Sequence, residues 1–139
     1  MARRSKLLLV EDHPGTARAL KMFLETHGYA IAIAGDVASA IDAAKAESFD
    51  LFICDLSLPD GTGWDLMKKL SKEKPERAIA FTASDSYDDI ARSEKVGFLK
   101  HVVKGCAGEE LSGVVAEVLK MEPKMAPSRV TKKRNTATS

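Results

Sequence analysis

The sequence predicts an α/β fold: a single domain built on a doubly wound, five-stranded parallel sheet. Three observations lead there. Leucine-rich and β-branched runs alternate with helical patterns five times along the chain, the pattern of repeated strand-helix units. The third run, Leu51-Phe52-Ile53-Cys54, is apolar at every position, as a strand covered on both faces requires. Polar residues also follow the runs at one repeated place: Glu11-Asp12 after Leu7-Leu8-Leu9-Val10, Asp55 after Cys54, Thr82 after Ala78-Ile79-Ala80-Phe81, and Lys104 after Val103. The carboxyl ends of parallel strands share one edge, where ligands and reactive groups collect, so these residues are expected to converge.

Each element has a local cause. The first strand is Lys6 to Val10; Pro14 suits the first turn of a helix whose Ala17, Leu20, Phe23 and Leu24 share a face, and Gly28 stops it. Tyr29 to Ala34 is the second strand, and Asp36 can cap a second helix with Ala40, Ile41 and Ala44 inward. The third strand is Phe49 to Cys54. Pro59-Asp60-Gly61 then forms a turn, and Trp64, Met67 and Leu70 make the inner face of a third helix ended by Pro75. After the strand Ala78 to Phe81, Ser84-Asp85-Ser86 offers caps, but Tyr87 to Lys95 supplies few apolar positions, so the fourth helix is expected to be marginal or partly exposed. Phe98 to Val103 is the fifth strand, and Leu111, Val114, Val115, Val118 and Leu119 pattern the fifth helix. The domain spans residues 1–121, and Pro123, Pro127 and a polar, basic finish make residues 122–139 a flexible tail.

Composition excludes several classes. With 139 residues, 45% hydrophobic and 29% charged, the chain fits one globular domain, and no apolar run approaches the ~18 residues of a membrane span. Glu11-Asp12 interrupts the first apolar stretch too early for a signal peptide, which gives a cytoplasmic expectation. Cys54 and Cys106 form neither a metal spacing nor a disulfide framework. The net charge of +1 hides an asymmetry: five cations against Glu122 give the tail a net +4, leaving the remainder at −3. A mildly acidic globule is not a nucleic-acid-binding design, and Lys132-Lys133-Arg134 lacks an aromatic or folded platform.

Singly, Lys104 reads as a solvated lysine, Thr82 as a strand former and Glu11-Asp12 as an acidic pair suited to a helix N-terminus. Together, Val10-Glu11-Asp12-His13, Asp55-Leu56-Ser57-Leu58-Pro59-Asp60-Gly61-Thr62-Gly63, Phe81-Thr82-Ala83 and Val103-Lys104 resemble the receiver domain of response regulators over about residues 6 to 121, in order and spacing. The resemblance implies a flavodoxin-like fold in a two-component phosphorelay. Asp55 would be the phosphoacceptor, charged by a histidine kinase, a histidine phosphotransfer protein or a small phosphodonor. Asp12 and Asp55 would ligate Mg²⁺ directly, Ser57 through its backbone oxygen and Glu11 through a metal-bound water, a hard-oxygen set suited to that ion. Lys104 would offset charge on the transferred oxygens and Thr82 would hydrogen-bond the phosphoryl group. Such a chain is a signalling receiver that promotes its own phosphorylation and dephosphorylation, not an enzyme with a separate substrate. Its output is a changed surface on helix four, strand five and helix five, read by an unknown downstream protein, with no membrane or nucleic-acid partner. His13 receives no catalytic role and Trp64 a packing one.

Two positions depart from the family pattern. His101 stands where many receivers place the Tyr or Phe that moves inward on activation, and the run Gly97 to Lys104 is similar to a subset of receivers attached to hybrid histidine kinases. A switch imidazole and an exposed strand residue are both open readings; the former can change charge near neutrality. Gly105 replaces the proline that usually follows the lysine. A cis bond before glycine costs about 2.5–4 kcal/mol, so a trans bond and a loosely placed Lys104 are expected. No stretch after Met121 is long enough for an effector domain, which suggests a single-domain regulator, a phosphate shuttle or a receiver separated from a hybrid kinase. The alternative to phosphorylation is a pseudo-receiver that only docks proteins. An aspartate-nucleophile phosphatase would carry a second acid two residues after the nucleophile, where Ser57 stands.

Overall fold

The computed structural model describes residues 4–70, 72–105 and 108–121. Elements follow in the order β1 (Lys6–Val10), α1 (Pro14–Thr26), β2 (Ala30–Ala34), α2 (Val37–Ala46), β3 (Leu51–Cys54), β4 (Ser57–Leu58), β5 (Gly61–Thr62), α3 (Gly63–Lys69), β6 (Ala78–Thr82), α4 (Tyr87–Val96), β7 (Lys100–Val103) and α5 (Gly108–Leu119). The five long strands form one sheet in the order β2-β1-β3-β6-β7, every pair parallel. The order reverses direction beside β1, which makes the mouth between β1 and β3 the topological switch point of a flavodoxin-like sheet. Expectations for Cys106 and for the tail at 122–139 lie outside the described residues.

Alternation along the strands sorts the core into two layers. Leu8, Val10, Phe52, Cys54, Ala78 and Ala80 face α2 and α3 and meet Val37, Ala40, Leu66 and Met67. Leu7, Leu9, Leu51, Ile53, Ile79 and Phe81 face the other way, onto Ala17 and Leu24 of α1 and Leu111, Val115 and Val118 of α5. Central strands buried on both faces account for the unbroken apolar runs. Among the described residues no helix is long and apolar enough to cross a membrane.

Caps fix where the helices start. Asp36 accepts from Ser39 N and completes a capping box at α2, while Thr62 and Asp65 do the same for α3. Some bounds differ from the sequence expectation. α3 ends at Lys69, with Leu70 already extended but still buried, well before Pro75. β2, β3 and β7 start later than expected, at Ala30, Leu51 and Lys100. Helix α4 is present, but Ser93 is its only buried residue and Tyr87 is 90% exposed, in line with its poor apolar patterning.

The segment after Asp55 holds a feature absent from the sequence reading, the short antiparallel ribbon β4–β5. Its turn carries Asp60, whose two oxygens accept from Val37 N at 2.7 Å and Ala38 N at 3.0 Å. These amides hold the Asp60 carboxyl below the ordinary aspartate range and tie the ribbon to the start of α2. Gly63 closes the loop from its other end: its amide donates to Leu56 O, and a Cβ there would stand 2.7 Å from the backbone oxygen of Asp55 and 3.1 Å from Cys54 Sγ. Gly63→Ala is therefore expected to displace the Asp55 loop and destabilise the fold by about 1–3 kcal/mol, the usual range for overpacking. Urea denaturation of both chains checks this, and an unchanged midpoint contradicts it.

Candidate functional site

The parallel register brings the strand ends together. Glu11 follows β1 with its amide donating to Ala34 O, and Asp55 follows β3 with its amide donating to Val10 O, so the two acids sit at adjoining strand ends beside the switch point. Both are buried, Glu11 at 2% and Asp55 at 6% exposure, whereas Asp12 faces solvent. Glu11, Asp12 and Asp55 each offer a carboxylate oxygen within 4.8 Å of the others. Oxygens grouped at that spacing can hold a hard divalent cation.

The lysine arrives from across the sheet. Lys104 follows β7, its amide donating to Thr82 O at 2.7 Å, and its ammonium lies 2.7 Å from Asp55 Oδ2 and 2.7 Å from Glu11 Oε1. The contact with Asp55 is a hydrogen bond; Glu11 Oε1 has the charge beside it without hydrogen-bond alignment and no other partner among the described residues. Burial disfavours the ammonium, but the contacts with Asp55 and Glu11 outweigh that and raise its pKa above lysine's ordinary 10.5. The Lys104–Gly105 bond is trans, as expected, and Gly105 takes φ +101°. The lysine is not loosely placed, however. Two carboxylates fix its head, so the freedom glycine gives the loop does not reach the ammonium.

The remaining oxygens are held by the backbone. Asp55 Oδ1 accepts from Ser57 N at 3.1 Å, and Glu11 Oε2 accepts from His13 N at 3.0 Å. His13 itself caps α1, accepting from Thr16 N. Thr82 is buried at the end of β6, level with Val103 in β7. Of the residues singled out from sequence, Glu11, Asp12, Asp55 and Lys104 thus form one cluster; Thr82 meets Lys104 through its backbone, and Ser57 meets Asp55.

His101 belongs to a second, adjoining network. Its Nε2 lies 2.7 Å from the carbonyl oxygen of Ser84, which can only accept, so Nε2 carries the proton and donates. Its Nδ1 lies 3.3 Å from Ser93 Oγ, and that hydroxyl also accepts from Trp64 Nε1 at 3.0 Å. The half-buried imidazole thereby joins β7 to α4, to α3 and to the loop after Thr82, which rules out a freely solvated ring. Ser84 and Ser93 carried no functional weight in the sequence. Their only signal was Ser93 as a small polar residue on the inner face of α4, facing a tryptophan that needs an acceptor.

Comparison with known proteins agrees with this geometry. A family model described as the response regulator receiver domain matches residues 7–116. The probable transcriptional regulatory protein TcrX of Mycobacterium tuberculosis is 35% identical over 106 residues, 76% of this chain and 45% of that protein. Response regulator ArlR of Staphylococcus haemolyticus is 31% identical over 120 residues, 86% of this chain and 54% of that protein. The chain spans about half the length of these relatives. Among solved structures, a CheY-like receiver domain protein of Methanospirillum hungatei superposes with a TM-score of 0.78 at 26% identity, covering 84% of this chain and 94% of that one. Response regulator protein TrrA of Thermotoga maritima, solved in complex with Mg(2+)-BeF, superposes with 0.73 at 27% identity, covering 82% and 98%.

The raised pKa of Lys104 has a signed consequence for stability. A cation whose folded pKa lies above its unfolded value stabilises fully below the unfolded value, and that contribution is lost as pH rises through the folded one. Denaturation midpoints of the wild type are expected to fall through the lysine titration range above 10.5 more steeply than those of Lys104→Met. Parallel alkaline curves for the two chains would contradict the pairing.

Proposed function

The chain belongs to the family of response regulator receiver domains, and on that premise we propose that it accepts a phosphoryl group on Asp55 from a histidine kinase or a histidine phosphotransfer protein in Mg²⁺-dependent two-component signalling. One observation carries the proposal: Asp55 is a buried carboxylate whose oxygens are aimed by Ser57 N–H and by the Lys104 ammonium, with Glu11 and Asp12 completing a cluster of hard oxygens. The donor set fits Mg²⁺, which prefers hard oxygens: Glu11, Asp12 and Asp55 each offer a carboxylate oxygen within 4.8 Å of the others. Asp12 and Asp55 would bind the ion directly, Glu11 through a coordinated water, and the Ser57 carbonyl would add a backbone oxygen. When bound, Mg²⁺ supplies neutralisation of charge on the transferred oxygens.

The chain's own groups do the rest. A carboxylate oxygen of Asp55 attacks phosphorus as the bond to the donor breaks, and the donor leaves with the bonding electrons. Ser57 N–H holds the carboxylate in place, so little reorganisation is needed. The Lys104 ammonium already beside Asp55 follows the negative charge onto the phosphoryl oxygens. Thr82, one strand over, offers its hydroxyl to the new acceptor oxygens, and its movement pulls on the loop through Ser84. There His101 is the switch ring: it is bonded to the Ser84 carbonyl and to Ser93 of α4, so a shift of the loop alters the surface of α4, β7 and α5 that a downstream protein reads. The chain acts as a receiver that promotes its own phosphorylation and dephosphorylation, with no separate substrate.

Incubation with acetyl phosphate and Mg²⁺ is expected to add one phosphoryl group by intact mass spectrometry. Chelating the metal should prevent it and Asp55→Asn should abolish it. Labelling that survives in the Asn variant moves the acceptor elsewhere, and a wild type that takes no phosphate from acetyl phosphate or any kinase tested favours the non-phosphorylated docking module.

A further inference from the structure

Away from the carboxylates, α3 and α4 enclose a groove of about 520 Å³ lined by Lys68, Lys74, Arg92, Lys95 and Val96. Four of its five lining residues are cations, and no carboxylate lines it. Arg92, Lys95 and Val96 stand at i, i+3 and i+4 of α4 and so share one face, while Lys68 comes from the last turn of α3. Lys74, in the connection to β6, lies over the end of α4: its Nζ would stand 3.7 Å from a Cβ placed on Gly97.

Helix dipoles account for only part of this charge. Both α3 and α4 end here, and each C-terminus presents roughly half a negative charge, so two ends balance about one of the four cations. Lys68 is also drawn on by Asp65, whose carboxyl is lowered first by its Thr62 hydrogen bonds and then by Lys69 and Lys68. Arg92 is pre-positioned: its guanidinium stacks 4.1 Å above the Trp64 ring, leaving its donors at the groove. A smaller cavity of about 330 Å³ that shares Lys74 with the groove, by contrast, sets Glu47, Asp50, Glu73 and Glu76 against Lys72, Lys74 and Arg77 and has no excess of cations.

We propose that this groove docks an acidic peptide segment of a partner protein, with Arg92 as its fixed anchor and Lys68, Lys74 and Lys95 as mobile counter-charges. The occupant follows from charge and shape. The chain's own tail carries a net +4 and is repelled. A nucleobase finds no stacking surface, since Trp64 is buried and already covered by Arg92. A long uniform polyanion running along α4 would meet Asp88 and Asp89 in its first turn, about 10 Å from Lys95 at 1.5 Å per residue; a short acidic segment ends before them. The inference is independent of Asp55, because binding is read in the unphosphorylated chain.

The probe is a short fluorescein-labelled tetraglutamate peptide, titrated against the full chain with anisotropy as one readout and emission of Trp64, the single tryptophan, as the other. Saturable binding that changes Trp64 emission is expected. Lys68→Gln with Lys95→Gln should weaken it about tenfold, the sum of two modest exposed charge pairs. Lys132→Gln with Lys133→Gln and Arg134→Gln should change it less than about twofold on the same scale. Circular dichroism confirms that the Gln variants fold. Loss of binding in the tail variant with none in the groove variant overturns the proposal, as does binding that leaves Trp64 emission untouched. A ten-nucleotide single strand that binds more tightly than the peptide through the same lysines overturns the choice of a protein partner.

Discussion

Lys104 sets the terms for the rest of the molecule. Its one ammonium stands 2.7 Å from each of two acids, Glu11 and Asp55, that are almost closed off from water. Charges removed from water are costly unless partners meet them at close range, and here the two acids end β1 and β3 while the cation must come from beyond β6. Only a sheet with all five strands parallel and in register delivers the three side chains to one edge. The ladder from Val10 through Cys54 to the Lys104–Thr82 backbone bond therefore serves the site as much as the core.

The sheet was legible because period and polarity agree along it. Leu51 to Cys54 shows no alternation, and a strand buried on both faces needs none; Asp55, Thr82 and Lys104 follow three apolar runs at a shared place, so convergence could be read without coordinates. What escaped were contacts made across large sequence separations by residues common in loops. Asp60 looks like a turn former beside Pro59 and Gly61, yet it caps α2 from 23 residues away. Ser93 and Ser84 look like surface hydroxyls, and only the fold reveals that His101 lies between them. The strand starts at Tyr29, Phe49 and Phe98 were set early because apolar side chains pack just before the ladder begins. Gly105 signalled a free loop, and local freedom was the wrong scale for a lysine whose far end is fixed by charge.

The helices are not held alike. α1, α2, α3 and α5 each bury apolar side chains against the sheet, whereas Ser93 is the one buried residue of α4. What fixes α4 is mostly polar or stacked: Ser93 with Trp64 and His101, Ser84 with Asp89, and Arg92 over Trp64. Contacts of that kind exchange readily with water, so the element joining the site's loop to the basic groove is drawn from the low-stability end of the structure. A rigid sheet holds the carboxylate cluster, and a lightly anchored helix borders it.

Cys54 stands immediately before Asp55, fully buried, its thiol donating to the Asp55 carbonyl. Sulfur is intrinsically the stronger nucleophile, but only as thiolate. Burial, reinforced by the neighbouring charges of Asp55 and Glu11, pushes the Cys54 pKa far above the ordinary thiol range. At neutral pH the sulfur is protonated and closed off from solvent at the strand-end edge. The fold thereby keeps the stronger nucleophile of two adjacent residues silent, and it makes oxidants and electrophiles that seek thiolates blind to the centre of the carboxylate cluster.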